Sequence, residues 1–196
     1  MNCIIKIFKT RFQLFVNFSL LFCLTLISCS PSLTVLKFNP DFAESTYKYF
    51  AEKSEKSVIK YPDDHNKLLN ACETLTKYSF GFTMEEANRV VMIDYKKSQS
   101  LYNEAHRNFV KAVDYCGRAL DVKYDNYKDW IDDINNESPI FTYLDLPYLY
   151  WSAGAYGGAI KSSKGNPEWL IKLPRLGKLL EAGISLDPGW NKGALY

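Results

Sequence analysis

Four prolines divide the segment from Leu146 to Tyr196, and each one stands where a helix can begin. Proline's fixed φ and missing N–H suit a first helical turn and oppose helix interiors and central strands. Pro147, Pro167, Pro174 and Pro188 therefore restrict this segment to short helices joined by tight turns. Between them the apolar residues recur at helical spacing. Leu176, Leu179, Leu180, Gly183, Ile184 and Leu186 line one face of a helix that stops at Asp187-Pro188. The same segment holds eight of the ten glycines and three of the four tryptophans, Trp151, Trp169 and Trp190.

The other end of the chain has a different character. Lys6, Lys9 and Arg11 precede an uncharged run from Phe12 to Ile27, the layout of an export signal. The run closes on Leu26-Ile27-Ser28-Cys29, which resembles a lipobox, with Cys29 as the lipidated first residue of the mature chain. A plain signal peptide or a membrane anchor are the alternatives. Gln13, Asn17, Ser19 and Thr25 interrupt the run, and a spanning helix needs about 20 apolar residues. The expected organisation is a signal over 1–28, a tether over 29–39 and a helical domain over 40–196.

Removing the signal changes the charge balance. The chain has 24 Lys+Arg and 22 Asp+Glu, and residues 1–28 hold three of the basics and no acids. That leaves 21 basics against 22 acids, so electrostatics gives no case for nucleic acid as a partner. Besides Cys29, the mature chain keeps Cys72 and Cys116. Export permits a disulfide between them. Both occupy apolar helix positions, where a free cysteine behaves as a small hydrophobe, and buried free thiols are the favoured expectation.

Asn39-Pro40-Asp41 predicts a helix start, with Phe42, Thr46, Tyr49 and Phe50 on one face up to about Lys56. Tyr61-Pro62-Asp63-Asp64 ends that helix and caps the next, on which Leu68, Ala71, Cys72, Leu75, Tyr78, Ser79 and Phe82 recur every three or four residues. Thr83 with Glu86 matches a capping box. A proline-free region follows from Met84 to about Val122, with a break expected near Tyr95-Lys96-Lys97-Ser98. Its stripe is Leu101, Ala105, Phe109, Ala112, Val113, Cys116, Ala119 and Leu120, and the small Ala112, Cys116 and Gly117 admit a close neighbour. A short helix is expected over Asp125–Asn135, and a helical turn over Ile140–Leu144.

The helix from Pro147 to about Ser163 is rich in small residues, with Gly154 and Gly158 at GxxxG spacing. Each glycine costs a helix roughly 1 kcal/mol against alanine. Close packing between antiparallel helices, or a required space, must offset that. Tyr148, Trp151 and Tyr156, with Gly154 and Gly158, are the candidate lining of an apolar groove; for any one aromatic, gap filling between helices is the simpler role. No strand pairs or hairpin turns stand out, so an all-α fold of tetratricopeptide-like antiparallel helix pairs, forming an α-solenoid, is expected. Leu186-Asp187-Pro188 matches the end of such a repeat, and Leu120-Asp121 marks an earlier one at about twice the usual period.

Catalytic chemistry is not visible. His65 and His106 read as surface or packing residues, and the Asp63-Asp64 and Asp132-Asp133 pairs as solvated helix ends. There is no metal-ligand spacing, nucleophile elbow, phosphate loop or dinucleotide fingerprint, which leaves no cofactor and no enzyme activity expected.

Leu149-Tyr150-Trp151 through Gly157-Gly158-Ala159-Ile160 has a familiar order. It continues with Asn166-Pro167-Glu168, Leu173-Pro174-Arg175 and Leu186-Asp187-Pro188-Gly189-Trp190. From Pro147 onward the sequence resembles the T component of tetratricopeptide-associated TRAP transporters, and more loosely so back to Pro40. The resemblance implies a periplasm-facing, membrane-anchored lipoprotein that forms a homotrimer. It implies association with the substrate-binding protein of a TRAP permease, and a groove offered to an organic or hydrophobic ligand. Tyr156 stands where tryptophan is expected, and Tyr196 where histidine is expected. Family members continue with further helices beyond the position of Tyr196, so a chain truncated at its C-terminus is expected. The alternative function is a tetratricopeptide-like lipoprotein scaffold unrelated to transport.

Overall fold

The computed structural model describes residues 39–133 and 135–196. Cys29, the signal and nearly all of the tether lie outside them. Contacts divide the chain into a unit over Met1–Ala43 and a unit over Glu44–Tyr196. In the first, Asn39 opens a helix, its Oδ1 accepting from the Phe42 amide at 3.1 Å. That helix, α1, spans Pro40–Lys60, four residues past the expected end.

Within the second unit α1 buries Ala51, Ser54 and Val58. Two polar clamps fix it. Ser54 and Thr74 hydroxyls lie 2.7 Å apart, and Glu55 accepts from Lys111 at 3.0 Å and from the Tyr115 hydroxyl at 3.1 Å. Pro62 stops α1 from continuing. Asp64 then caps α2, His65–Tyr78, by accepting from the amides of Asn66 and Lys67 at 2.9 and 3.1 Å. The expected stripe of α2 is its buried face: Leu68, Ala71, Cys72, Leu75 and Tyr78.

The expected capping box at Thr83 does not form. Ser79–Met84 is a π-helical turn that carries the helix directly into α3, Glu85–Val90, and Thr83 is buried inside it. The aromatic run keeps this turn in the core. Phe80 packs on Phe109 at 4.6 Å between ring centroids, and Phe82 packs between Tyr47 at 5.2 Å and Tyr78 at 6.0 Å. Uncapping the chain there would expose these rings, so tertiary packing overrides the local signal. The break comes at Val91–Asp94 instead, where Asp94 caps α4, Tyr95–Lys123, by accepting from the Lys97 amide at 2.9 Å.

α4 is the long strut of the unit. Ser98, Tyr102, Ala105, Phe109, Ala112, Cys116, Ala119 and Leu120 are buried along one face. At Ala112 and Cys116 this face meets α2 closely enough to bring Cys72 and Cys116 to 5.5 Å between Cα atoms, and they form a disulfide. This corrects the expectation of free thiols. Both positions are apolar, but each cysteine lies on the face turned to the other helix. Burial and bridging are therefore satisfied together, and spacing along a single helix cannot distinguish them.

α5 spans Tyr127–Asp132, and a single 3-10 turn, Tyr143–Asp145, leads into α6, Leu146–Ser162. α7 is Pro167–Leu170 and α8 is Leu173–Leu186. A 3-10 turn over Trp190–Lys192 follows, in which Asn191 and Lys192 take positive φ. α6 is the hub, touching α2, α4 and α8. It runs antiparallel to α4: Lys123 meets Asp145 at one end, and His106 meets Ala159 toward the other. Among the described residues every element is helical, and no helix is long and apolar enough to cross a membrane.

Candidate functional site

α6 starts from a polar anchor. Asp145 is 1% exposed, and Lys123 holds its Oδ1. Its Oδ2 accepts from the Tyr124 hydroxyl at 2.5 Å and from the Thr142 amide and hydroxyl at 2.8 and 2.9 Å. Burial alone would raise this carboxyl, but the bonds from Lys123, Tyr124 and Thr142 outweigh it and hold the pKa at about 2. The same lysine lies over the Tyr148 ring at 4.2 Å, and the Tyr148 hydroxyl lies 2.7 Å from His65 Nδ1 and 3.0 Å from Asn66 Oδ1. This network ties the start of α6 to α4 and α2.

Further along α6 the two glycines of the GxxxG pair separate in role. At Gly158 an added Cβ would fall 2.3 Å from the Phe109 ring, so Phe109 occupies the place of a side chain. At Gly154 the nearest atom to an added Cβ is Thr76 Cγ2 at 3.7 Å, an ordinary contact. The backbone at Gly154 borders an apolar cavity of about 220 Å³. α2 and its π turn contribute Thr76 and Phe80, while α6 contributes Tyr150, Trp151, Ala153 and Gly154. α8 adds Leu176 and Leu180, and Ala194 closes one side. Tyr150 packs on Trp151 at 4.8 Å and on Trp190 at 5.2 Å, so three aromatic rings form one wall and its support. Lys77 lies over Trp151 at 4.9 Å. An apolar cavity of ~150 Å³ is already large enough to take up benzene.

Of the five candidate lining residues, the cavity brings together Trp151 and Gly154. Tyr148 is buried in the anchor network, and Gly158 is covered by Phe109. Tyr156 is buried among core residues, where burial raises its phenol pKa despite the opposing effect of Arg175. Sequence reasoning missed Thr76, Phe80, Leu176 and Leu180. Leu176 and Leu180 carried only the signal of an apolar stripe, which core residues share, and Thr76 and Phe80 lay outside the stripe read on their helix.

His65 and His106 are both tied into the packing. His106 Nδ1 lies 3.1 Å from the Ala159 carbonyl and 3.2 Å from Ser162 Oγ, with its ring edge-on to Trp169 at 5.2 Å. Among the described residues no His, Cys, Asp or Glu cluster is arranged to hold a metal.

Fold and cavity together define a class: all-helical proteins whose antiparallel helices enclose an aromatic-walled recess. The family model of the TRAP transporter T-component matches residues 54–196, and the chain belongs to that family. The matched stretch runs from within α1 through the last described turn and includes every cavity residue. No curated protein matches the chain.

Proposed function

We propose that this chain is a lipid-anchored accessory subunit of a TRAP import system, working by binding in the periplasm. Membership of the T-component family carries the proposal. In this reading Cys29 carries the acyl chains, and the tether holds the helical unit outside the membrane. The unit assembles as a homotrimer of tetratricopeptide-like helix pairs and engages the system's substrate-binding protein. The cavity beside Trp151 and Gly154 receives an apolar organic ligand. The fully buried disulfide supports export, because such bonds form and persist in oxidising compartments.

Mixing the intact chain with the substrate-binding protein of the same transport system tests the association. Co-elution at a trimer-sized stoichiometry is expected, and two separate peaks at micromolar concentration would refute it. Growth with an alkyne-tagged fatty acid tests the anchor: the wild-type chain acquires the tag and Cys29→Ala does not. Titration with 1-aminonaphthalene tests the cavity, with enhanced fluorescence expected in the wild type and loss of most of it in Trp151→Ala.

A further inference from the structure

The second recess of the unit has a different chemistry. Leu176 and Leu180 of α8 face the apolar cavity, and helical spacing turns Pro174 and Lys178 to the opposite side. There a half-open pocket of about 400 Å³ lies between α5 and the first turns of α8. Ile131, Ile171 and Pro174 give it apolar walls. Its charged groups are three cations, Lys172, Arg175 and Lys178, against two carboxylates, Asp132 and Asp133.

The three cations are not in the same state. Arg175 pairs with Asp132 at 2.9 Å. Lys178 donates to the carbonyls of Trp130 and, at 2.7 Å, of Asp133, which closes the end of α5. Lys172 has no carboxylate within pairing distance among the described residues; Glu168 acts on it only from farther away. Its ammonium sits 3.8 Å above the Trp169 ring, which orients it and leaves its N–H donors without an anion. Its own burial, and then the neighbouring Arg175, lower its pKa, the mark of a cation lacking compensation.

We propose that this pocket binds a small carboxylate bearing an apolar group. The carboxylate is received by Lys172, and the apolar group lies on Ile131, Ile171 and Pro174. Three cations against two carboxylates leave the lining with one net positive charge, which suits a singly charged carboxylate better than a phosphate dianion. Arg175, engaged by Asp132 and Tyr156, adds positive field beside the Lys172 ammonium, which donates to the carboxylate. Lys172 is also the N-cap of α8, so the positive end of that helix adds to the attraction. The site is separate from the Trp151 cavity and stands or falls without it.

The test titrates the intact protein with hexanoate, hexan-1-ol and inorganic phosphate, following the tryptophan emission that Trp169 and Trp130 supply beside the pocket. Hexanoate is expected to saturate and to bind about tenfold or more tightly than hexan-1-ol, as one charge-assisted contact implies. Lys172→Gln should remove that preference and leave hexan-1-ol unchanged. Ile171 is 76% exposed, so Ile171→Ser leaves the fold intact and should weaken hexanoate while leaving acetate unaffected. Equal affinity for hexanoate and hexan-1-ol overturns the proposal. So does tighter binding of phosphate, or a Lys172→Gln protein that still prefers hexanoate. In each of those cases binding of 1-aminonaphthalene at the Trp151 cavity is left as it was.

Discussion

One turn apart, α6 shows two different surfaces. At Gly158 the absent side chain lets Phe109 of α4 lie against the backbone, and a methyl group has nowhere to go. At Gly154 the absent side chain leaves space, and Thr76 stands at contact distance across it. The first surface is closed and fully packed; the second borders the cavity with Trp151 and Leu180. The same residue type at adjacent helical positions thus serves close approach in one case and vacancy in the other. What differs is the neighbour: a ring of α4 reaches Gly158, whereas α8 stands back from Gly154.

The closed side is expected to be where stability concentrates, and its largest single contribution is the bridge from α2 to α4. It closes a sequence separation of 44 residues, for which chain entropy alone gives roughly 4 kcal/mol. Urea unfolding of a Cys72→Ala/Cys116→Ala protein should show a loss of about that size. The unreduced wild type should take up no thiol label at either position. An unchanged midpoint would mean that the α2–α4 face holds without its clamp.

Gly158→Ala comes next. Moving the buried Phe109 ring aside is expected to cost about 2 kcal/mol net, after the helix-propensity gain of alanine. A thermal melt that rises would show that the two surfaces are less different than described. Acid should loosen the start of α6 by a similar amount. The folded pKa of Asp145 is depressed to about 2 from an ordinary 3.8. Its stabilisation, on the order of 2 kcal/mol, is therefore complete above about pH 4 and lost as pH falls toward 2. Asp145→Asn should flatten that part of the stability–pH curve, measured by chemical denaturation across the range.

The smallest effect carries the opposite sign. Gly154→Ala meets no clash and gains helix propensity, so it should stabilise by up to about 1 kcal/mol while narrowing the cavity. Differential scanning calorimetry reads the gain, and weaker 1-aminonaphthalene fluorescence reads the loss of space. Stabilisation at Gly154 beside destabilisation at Gly158 is the pattern that this comparison requires.

Much of the helical framework was legible because its signals are local. Asp64 caps α2 in the sequence as it does in space, and Pro147, Pro167 and Pro174 fall in the first turns of α6, α7 and α8. The stripe on α4 was readable because a buried face repeats every three or four residues. The candidate site was less legible. Trp151 and Gly154 line the cavity, but Tyr148 and Tyr156 carry the same aromatic signal and lie in the packed interior. The π turn at Ser79–Met84 was hidden, because Thr83 and Glu86 present a sound local cap that packing overrides.

By itself, the sequence determined where most helices start and stop, which faces of α2 and α4 are apolar, and the wording by which the family is recognised; on α1 the expected Phe42, Tyr49 and Phe50 are exposed, and Ala51, Ser54 and Val58 are buried instead. Those properties depend on neighbours within a turn or two, and a chain carries them before it folds. Three things were decided only by the tertiary structure: which glycine is filled by Phe109, which cysteine faces which, and that the Lys172 ammonium lies over the Trp169 ring. The first two depend on two helices meeting from positions tens of residues apart, and no local spacing encodes that meeting.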